Sequence, residues 1–171
     1  MTTDATPAAA ATSPESVARR LFELLNRRDL DALAELQHPD VVDDFVVLRP
    51  ARGRAEVRAF FEALFAAFPD FHLEIERVTA TGDTAVVQWR STGTFTGAPF
   101  EGVHANGKRV EIRGVDCMVF EDGRLRHNTI YYDGMSFARA IGLLPAQGSG
   151  AERAMAAAFN AATALKKTLG V

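Results

Sequence analysis

Apolar side chains recur at helical spacing at Val17, Leu21, Leu24 and Leu25, with Ala18 and Phe22 widening the stripe. Ser13 before Pro14 reads as an N-cap followed by a proline in the first turn, where its missing N–H costs nothing. A short second helix is predicted around Leu30 to Leu36, ending near His38 and Pro39, and a strand over Val41 to Leu48 interrupted by Asp43 and Asp44. A third helix, rich in Phe and Ala, is predicted from Arg54 to Phe68, with Pro69 closing it. Its stripe is Val57, Phe61, Leu64 and Phe68, flanked by Phe60 and Phe65.

Beyond Pro69 the period changes to two. Phe71 to Thr79, Thr84 to Phe95, Arg109 to Phe120 and Leu125 to Tyr132 read as strands. Thr81-Gly82-Asp83, Ala105-Asn106-Gly107 and Glu121-Asp122-Gly123 punctuate them, and links this short favour antiparallel pairing. A short helix over Met135 to Ile141 and a last one over Ala151 to Leu169 complete the pattern, joined by a Gly- and Ser-containing link. Helices first and a meander afterwards predict an α+β domain: a cone-shaped, strongly curved antiparallel sheet wrapped around the N-terminal helices, with an extra C-terminal helix. Such a cone has an open mouth and a natural apolar pocket.

Residues 1–12 read as a flexible tail, 13–145 as the domain, and 146–171 as linker and last helix. A chain of 171 residues with 47% hydrophobic content suits one buried core. Its net charge of −3 is spread along the sequence, with no basic block to neutralise a row of phosphates, so no nucleic-acid partner is expected. The tail lacks the basic start and apolar stretch of a signal peptide, and no segment has the length of a membrane span. Cys117 alone cannot form an internal disulfide. Together these features lead to the expectation of a cytoplasmic protein.

Asp116 is the first candidate for chemistry. Its even-numbered face also carries Val110, Ile112, Met118 and Phe120, the more apolar face of that strand. A carboxyl there resists ionisation and could donate a hydrogen bond to a substrate oxygen; pairing with Arg90, Arg113 or a backbone N–H is the structural alternative. Asp43 and Asp44 follow one another in an apolar strand, so alternation allows only one of them to face inward. Trp89 shares a face with Val87 and Phe95 and could line the cavity or simply pack. A cavity bounded by Phe45, Phe61, Trp89, Met118 and Tyr132 is expected, with Asp116 exposed to it. No His, Cys and carboxylate grouping has metal-ligand spacing, and no phosphate loop or dinucleotide fingerprint occurs, so neither metal nor cofactor is expected.

Gly93-Thr94-Phe95-Thr96-Gly97, Asn106-Gly107-Lys108-Arg109-Val110, Gly114-Val115-Asp116, Phe120-Glu121-Asp122-Gly123-Arg124 and Tyr132-Asp133-Gly134 resemble the SnoaL-like branch of the nuclear transport factor 2-like superfamily. Asn26 to Asp29 and Gly53-Arg54 fit as well, and the resemblance spans about Val17 to Pro145. It implies a cofactor-independent acid–base enzyme, an isomerase or cyclase, acting on an apolar oxygen-bearing molecule such as a polyketide, terpenoid or steroid. A non-catalytic binding or dimerisation module of the same fold is the alternative. By this resemblance Asp44 is the expected base, and Asp116 and Tyr132 would hold the oxyanion. Two registers are open for the last two strands. A two-residue Asp122-Gly123 turn sets Asp116 with Thr129 and Tyr131, and a three-residue turn sets it with Asn128, Ile130 and Tyr132. The resemblance favours the second and adds Asn128 and Ile130 to the expected substrate-binding residues.

The departures are specific. Ile130 stands where cyclases and epoxide hydrolases carry Asp, Phe95 where the family has His, and Leu21 near the isomerases' Tyr. His104, on a hairpin arm, could relay protons at the pocket mouth or be a solvated loop residue. The outer sheet face is expected to carry Val115, Cys117, Val119, Leu125, Thr129 and Tyr131. A set so apolar calls for a cover, either the last helix through its Met155, Phe159, Ala162 and Leu165 stripe or a homodimer partner, the expected assembly.

Overall fold

The structure, a computed structural model, describes residues 13–169; the expected tail over residues 1–12 lies outside them. Helix α1 spans Pro14–Arg27. The Ser13 hydroxyl accepts from the Ser16 N–H, and Arg28 ends the helix in a left-handed conformation. Asp29 caps α2 (Leu30–Glu35) by accepting from the Ala32 N–H. Strands β1 (Gln37–Phe45) and β2 (Ala51–Arg52) lead to α3 (Gly53–Ala67). The meander is β3 (His72–Thr81), β4 (Thr84–Thr94), β5 (Arg109–Glu121) and β6 (Arg124–Tyr132), followed by α4 (Gly134–Ala140) and α5 (Gly150–Leu169).

These elements form an α+β fold around one six-stranded sheet, in the order β2-β1-β6-β5-β4-β3. Pairing within the meander is antiparallel, but β1 runs parallel to β6, so the sheet is mixed rather than antiparallel throughout. The parallel pair joins the two ends of the domain: β1 precedes the whole meander, and its last strand, β6, comes back alongside β1 in the same direction. The core lies between the inner sheet face and the helices: Val17, Leu21 and Leu24 of α1, Val57, Phe61 and Phe65 of α3, and Val87, Ile112, Met118 and Ile130 of the strands are buried.

Strand β1 starts four residues before the expected position and stops at Phe45. Its buried positions are Gln37, Val41, Asp43 and Phe45. The same alternation turns Asp44 toward the other face.

The β5–β6 hairpin combines the two expected registers. Glu121 pairs with Arg124 across a two-residue turn, whose Asp122 (φ 49°) and Gly123 (φ 73°) are both left-handed. A bulge then inserts Arg126, because Phe120 pairs with Leu125 while Val119 pairs with His127. Asp116 therefore lies opposite Ile130, and Met118 opposite Asn128. The inner face is the one expected from a three-residue turn, reached through a two-residue turn and a bulge. Leu125, expected outside, is buried inside for the same reason.

Helix α5 leaves the sheet's outer face uncovered. Met155, Phe159 and Leu165 are 47%, 71% and 60% exposed, while Val86, Val119 and Tyr131 of the outer face remain exposed too. The helix is tied at its start, where Arg139 pairs with Glu152 at 2.6 Å and the Gly148 N–H donates to the same carboxylate. Deleting residues 150–171 is therefore expected to shift the melting temperature by less than about 2 °C, because none of the described side chains there is buried. A scanning-calorimetry drop well beyond that would show that the helix has a stabilising partner.

Candidate functional site

The cone encloses a cavity of about 130 Å³. That is close to the ~150 Å³ of an apolar cavity that takes up benzene. Helices α1 to α4 line it with apolar side chains only, among them Phe22, Phe60, Phe61 and Phe137. Phe60, Phe100, Phe137 and Tyr132 form a chain of edge-on ring contacts with centroids 6.1–6.2 Å apart. The strands supply the polar groups, including Gln37, Asp43, Asp116 and Asn128, all buried. None of the lining residues is Lys, Arg or His.

Asp116 is anchored from both sides. The Trp89 indole Nε1–H donates to its Oδ1 at 2.6 Å, and the Asn128 amide donates to its Oδ2 at 2.9 Å. Burial pushes its pKa up, the two donors pull it back, and the result is about 6. Asp43 has no such support: its Oδ1 is buried without a hydrogen-bond partner. Burial and the charge of Asp116 push its pKa up to about 8. Of the two, Asp116 is the one whose donors favour the carboxylate, and Asp43 the one whose burial favours the neutral acid. Burial also pushes the Tyr132 hydroxyl up to about 12, which keeps it a donor.

Of the residues expected at the site, Asp116, Tyr132, Phe45, Phe61, Trp89, Met118, Asn128 and Ile130 all line this cavity. Two do not. Asp44 is half-buried off the lining, on the face opposite Asp43, and His104 is exposed on the long β4–β5 loop. Alternation corrects the first: once Phe45 faces inward, Asp43, two residues earlier, must do so as well. The second is a matter of position within the loop, which contributes Phe100 to the lining while His104, four residues further on, is exposed. Gln37 was missed because it stands where the second helix was expected to run out, whereas it opens β1 and its carbonyl accepts from Arg54 at 3.0 Å.

Residues 15–141 match the model of the SnoaL-like polyketide cyclase family, and the chain belongs to that family. Its nuclear transport factor 2-like architecture is shared with several solved structures. A protein from Jannaschia sp. CCS1 described as a SnoaL-like polyketide cyclase is 27% identical with a TM-score of 0.72, covering 84% of this chain and 100% of its own. IdmH from Streptomyces antibioticus, described as a polyketide cyclase, is 25% identical with a TM-score of 0.65, covering 75% of this chain and 98% of its own. AclR from Streptomyces galilaeus, described as a hydroxylase, is 23% identical with a TM-score of 0.68, covers 91% and 95%, and shares the fold. No curated protein matches the sequence. Among the described residues no helix is long and apolar enough to cross a membrane.

Proposed function

We propose that the protein is a cofactor-independent acid–base catalyst, a cyclase or isomerase, acting on an apolar small molecule that carries a carbonyl. The observation behind this reading is a pair of buried carboxyls within one aromatic cavity, Asp116 held by two hydrogen-bond donors and Asp43 with its Oδ1 unpartnered. Asp116, ionised at neutral pH, is the base. It takes a proton from the carbon beside the carbonyl, and the electron pair of that C–H bond moves into the adjoining C–C bond as the carbonyl oxygen gains charge. Asp43, still protonated, donates a hydrogen bond to that oxygen, with the Tyr132 hydroxyl as a second donor from the same lining. Return of the proton to a different carbon completes an isomerisation. Attack of the enolate carbon on a second carbonyl forms the ring bond, and the proton held by Asp116 passes to the new alkoxide, which restores the Asp116 carboxylate and leaves Asp43 protonated. The roles differ from those expected of the sequence, with Asp116 changing from acid to base and Asp43 replacing Asp44.

The test is proton exchange in D₂O with a panel of aryl and alkyl ketones and 1,3-diketones, followed by NMR. Deuterium should enter beside the carbonyl faster than in buffer. The rate should rise with pH through about 6 as Asp116 ionises and fall through about 8 as Asp43 loses its proton. Ligands that bind but never exchange would leave the chain a small-molecule-binding module of this fold.

A further inference from the structure

Gly114 belongs to a stretch noted in the sequence, Gly114-Val115-Asp116, of which the proposed mechanism uses only the last residue. It lies on β5 directly opposite Trp89 of β4 and Tyr132 of β6. A Cβ placed on Gly114 would come within 2.3 Å of Cζ2 and 2.6 Å of Cη2 of Trp89, far inside van der Waals contact. The benzo ring of the indole therefore occupies the space that any side chain at position 114 would take. From there its Nε1–H reaches Asp116, two residues further along β5. Backbone conformation does not call for glycine here, because Gly114 is not among the positive-φ residues. What it provides is room.

We propose that Gly114 is a positioning residue: its missing side chain is what lets the Trp89 indole lie across β5 and donate to Asp116. This rests on the reading of Asp116 as the base, and adds a means by which the fold sets that base. Trp89 is one of two donors to the carboxylate among the described residues, so displacing it removes about half of the hydrogen bonding that favours the charged form. The other titratable groups lining the cavity are Asp43 on β1 and Tyr132 on β6, and the helices packed over the sheet add none. Neither can take the place of the indole as a donor to Asp116 in the ionised enzyme without giving up its own role toward the substrate.

The experiment is a ¹³C NMR titration of the aspartate carboxyls in four proteins: wild type, Gly114→Ala, Trp89→Phe, and the double variant. The Asp116 midpoint, near 6 in the wild type, should rise by about one pH unit or more in either single variant. Phenylalanine lacks the two indole atoms that a Cβ at position 114 would strike and leaves the Tyr131 carbonyl oxygen, 2.6 Å from that Cβ, as the remaining close contact. Because that contact does not touch Asp116, Gly114→Ala should add little to the midpoint once Trp89 is Phe. An unchanged midpoint in Gly114→Ala, or a full additional shift in the double variant, overturns the proposal. Should Gly114→Ala fail to fold, recovery of folding in the double variant supports it. Failure of both variants would assign the glycine to the Tyr131 carbonyl, 2.6 Å from the same Cβ, and the proposal would fall. The titration reads the carboxyl and not turnover. A shifted midpoint in a protein that exchanges no ketone would refute the acid–base function and leave the role of Gly114 intact.

Discussion

Replacing Asp116 with asparagine should lower the rate of ketone proton exchange by a hundredfold or more, on the order of what a positioned base contributes, without unfolding the protein. Asparagine is nearly isosteric and can still accept from Trp89 through its Oδ1. Its amide nitrogen would then face the donor nitrogen of Asn128, which today donates to Asp116 Oδ2. Rotating the Asn128 amide resolves that conflict, because Asn128 Oδ1 is itself buried without a partner and would accept from the new amide. The substitution thus removes a proton acceptor and keeps both contacts to residue 116, while the one unpartnered atom of Asn128 changes from its oxygen to its amide nitrogen. Exchange kinetics together with thermal melts check both halves. Undiminished exchange in Asp116→Asn rules the residue out as base, whereas lost activity with a large fall in melting temperature makes Asp116 a structural anchor.

The second large effect falls on stability. The pKa of Asp43 is raised, to about 8, above the ~3.9 of an unfolded aspartate. Between those values the folded chain keeps a proton that the unfolded chain has released, so the contribution of Asp43 to stability is greatest at low pH and declines as pH rises, levelling off above about 8. Asp116 contributes in the same direction over the narrower interval up to about 6. For Asp43 the decline can reach ~5 kcal/mol, a large share of a domain's total stability. Asp43→Asn should flatten this dependence. The variant should be markedly more stable than the wild type at pH 9, with the gap closing toward pH 5. Urea denaturation at the two pH values measures it, and equal slopes in both proteins would show that Asp43 is not buried in its charged form.

The helices and the meander were legible because each carries its own local signal: the Ser13 cap, the apolar stripes of α1 and α3, and the Asp122-Gly123 turn. The beginning of β1 was not. Pro39 reads as a helix stop, yet proline is tolerated in a strand where no ladder hydrogen bond needs its N–H, and the exposed Pro39 lies inside β1. The parallel β1–β6 pair is a contact between distant segments, with no turn to announce it. Parity could have found Asp43, since an inward Phe45 fixes it. Nothing local announces the Arg126 bulge, which alone brings both Leu125 and Asn128 to the inner face at a spacing of three. The hydrogen bond between Trp89 and Asp116 depends on the β4–β5 register and on the emptiness of Gly114, a relation among three residues on two strands.

Trp89 is the only tryptophan of the chain, and it sits against the carboxylate that the proposed chemistry depends on. All indole fluorescence therefore originates inside the cavity. A molecule that enters the cone would alter the emission without any label, and so would a proton arriving at Asp116. Candidate ligands can be ranked by titrating them into unmodified protein and following this single emitter, before any reaction is known. The pH at which the unliganded signal changes gives the protonation state in which each ligand is received.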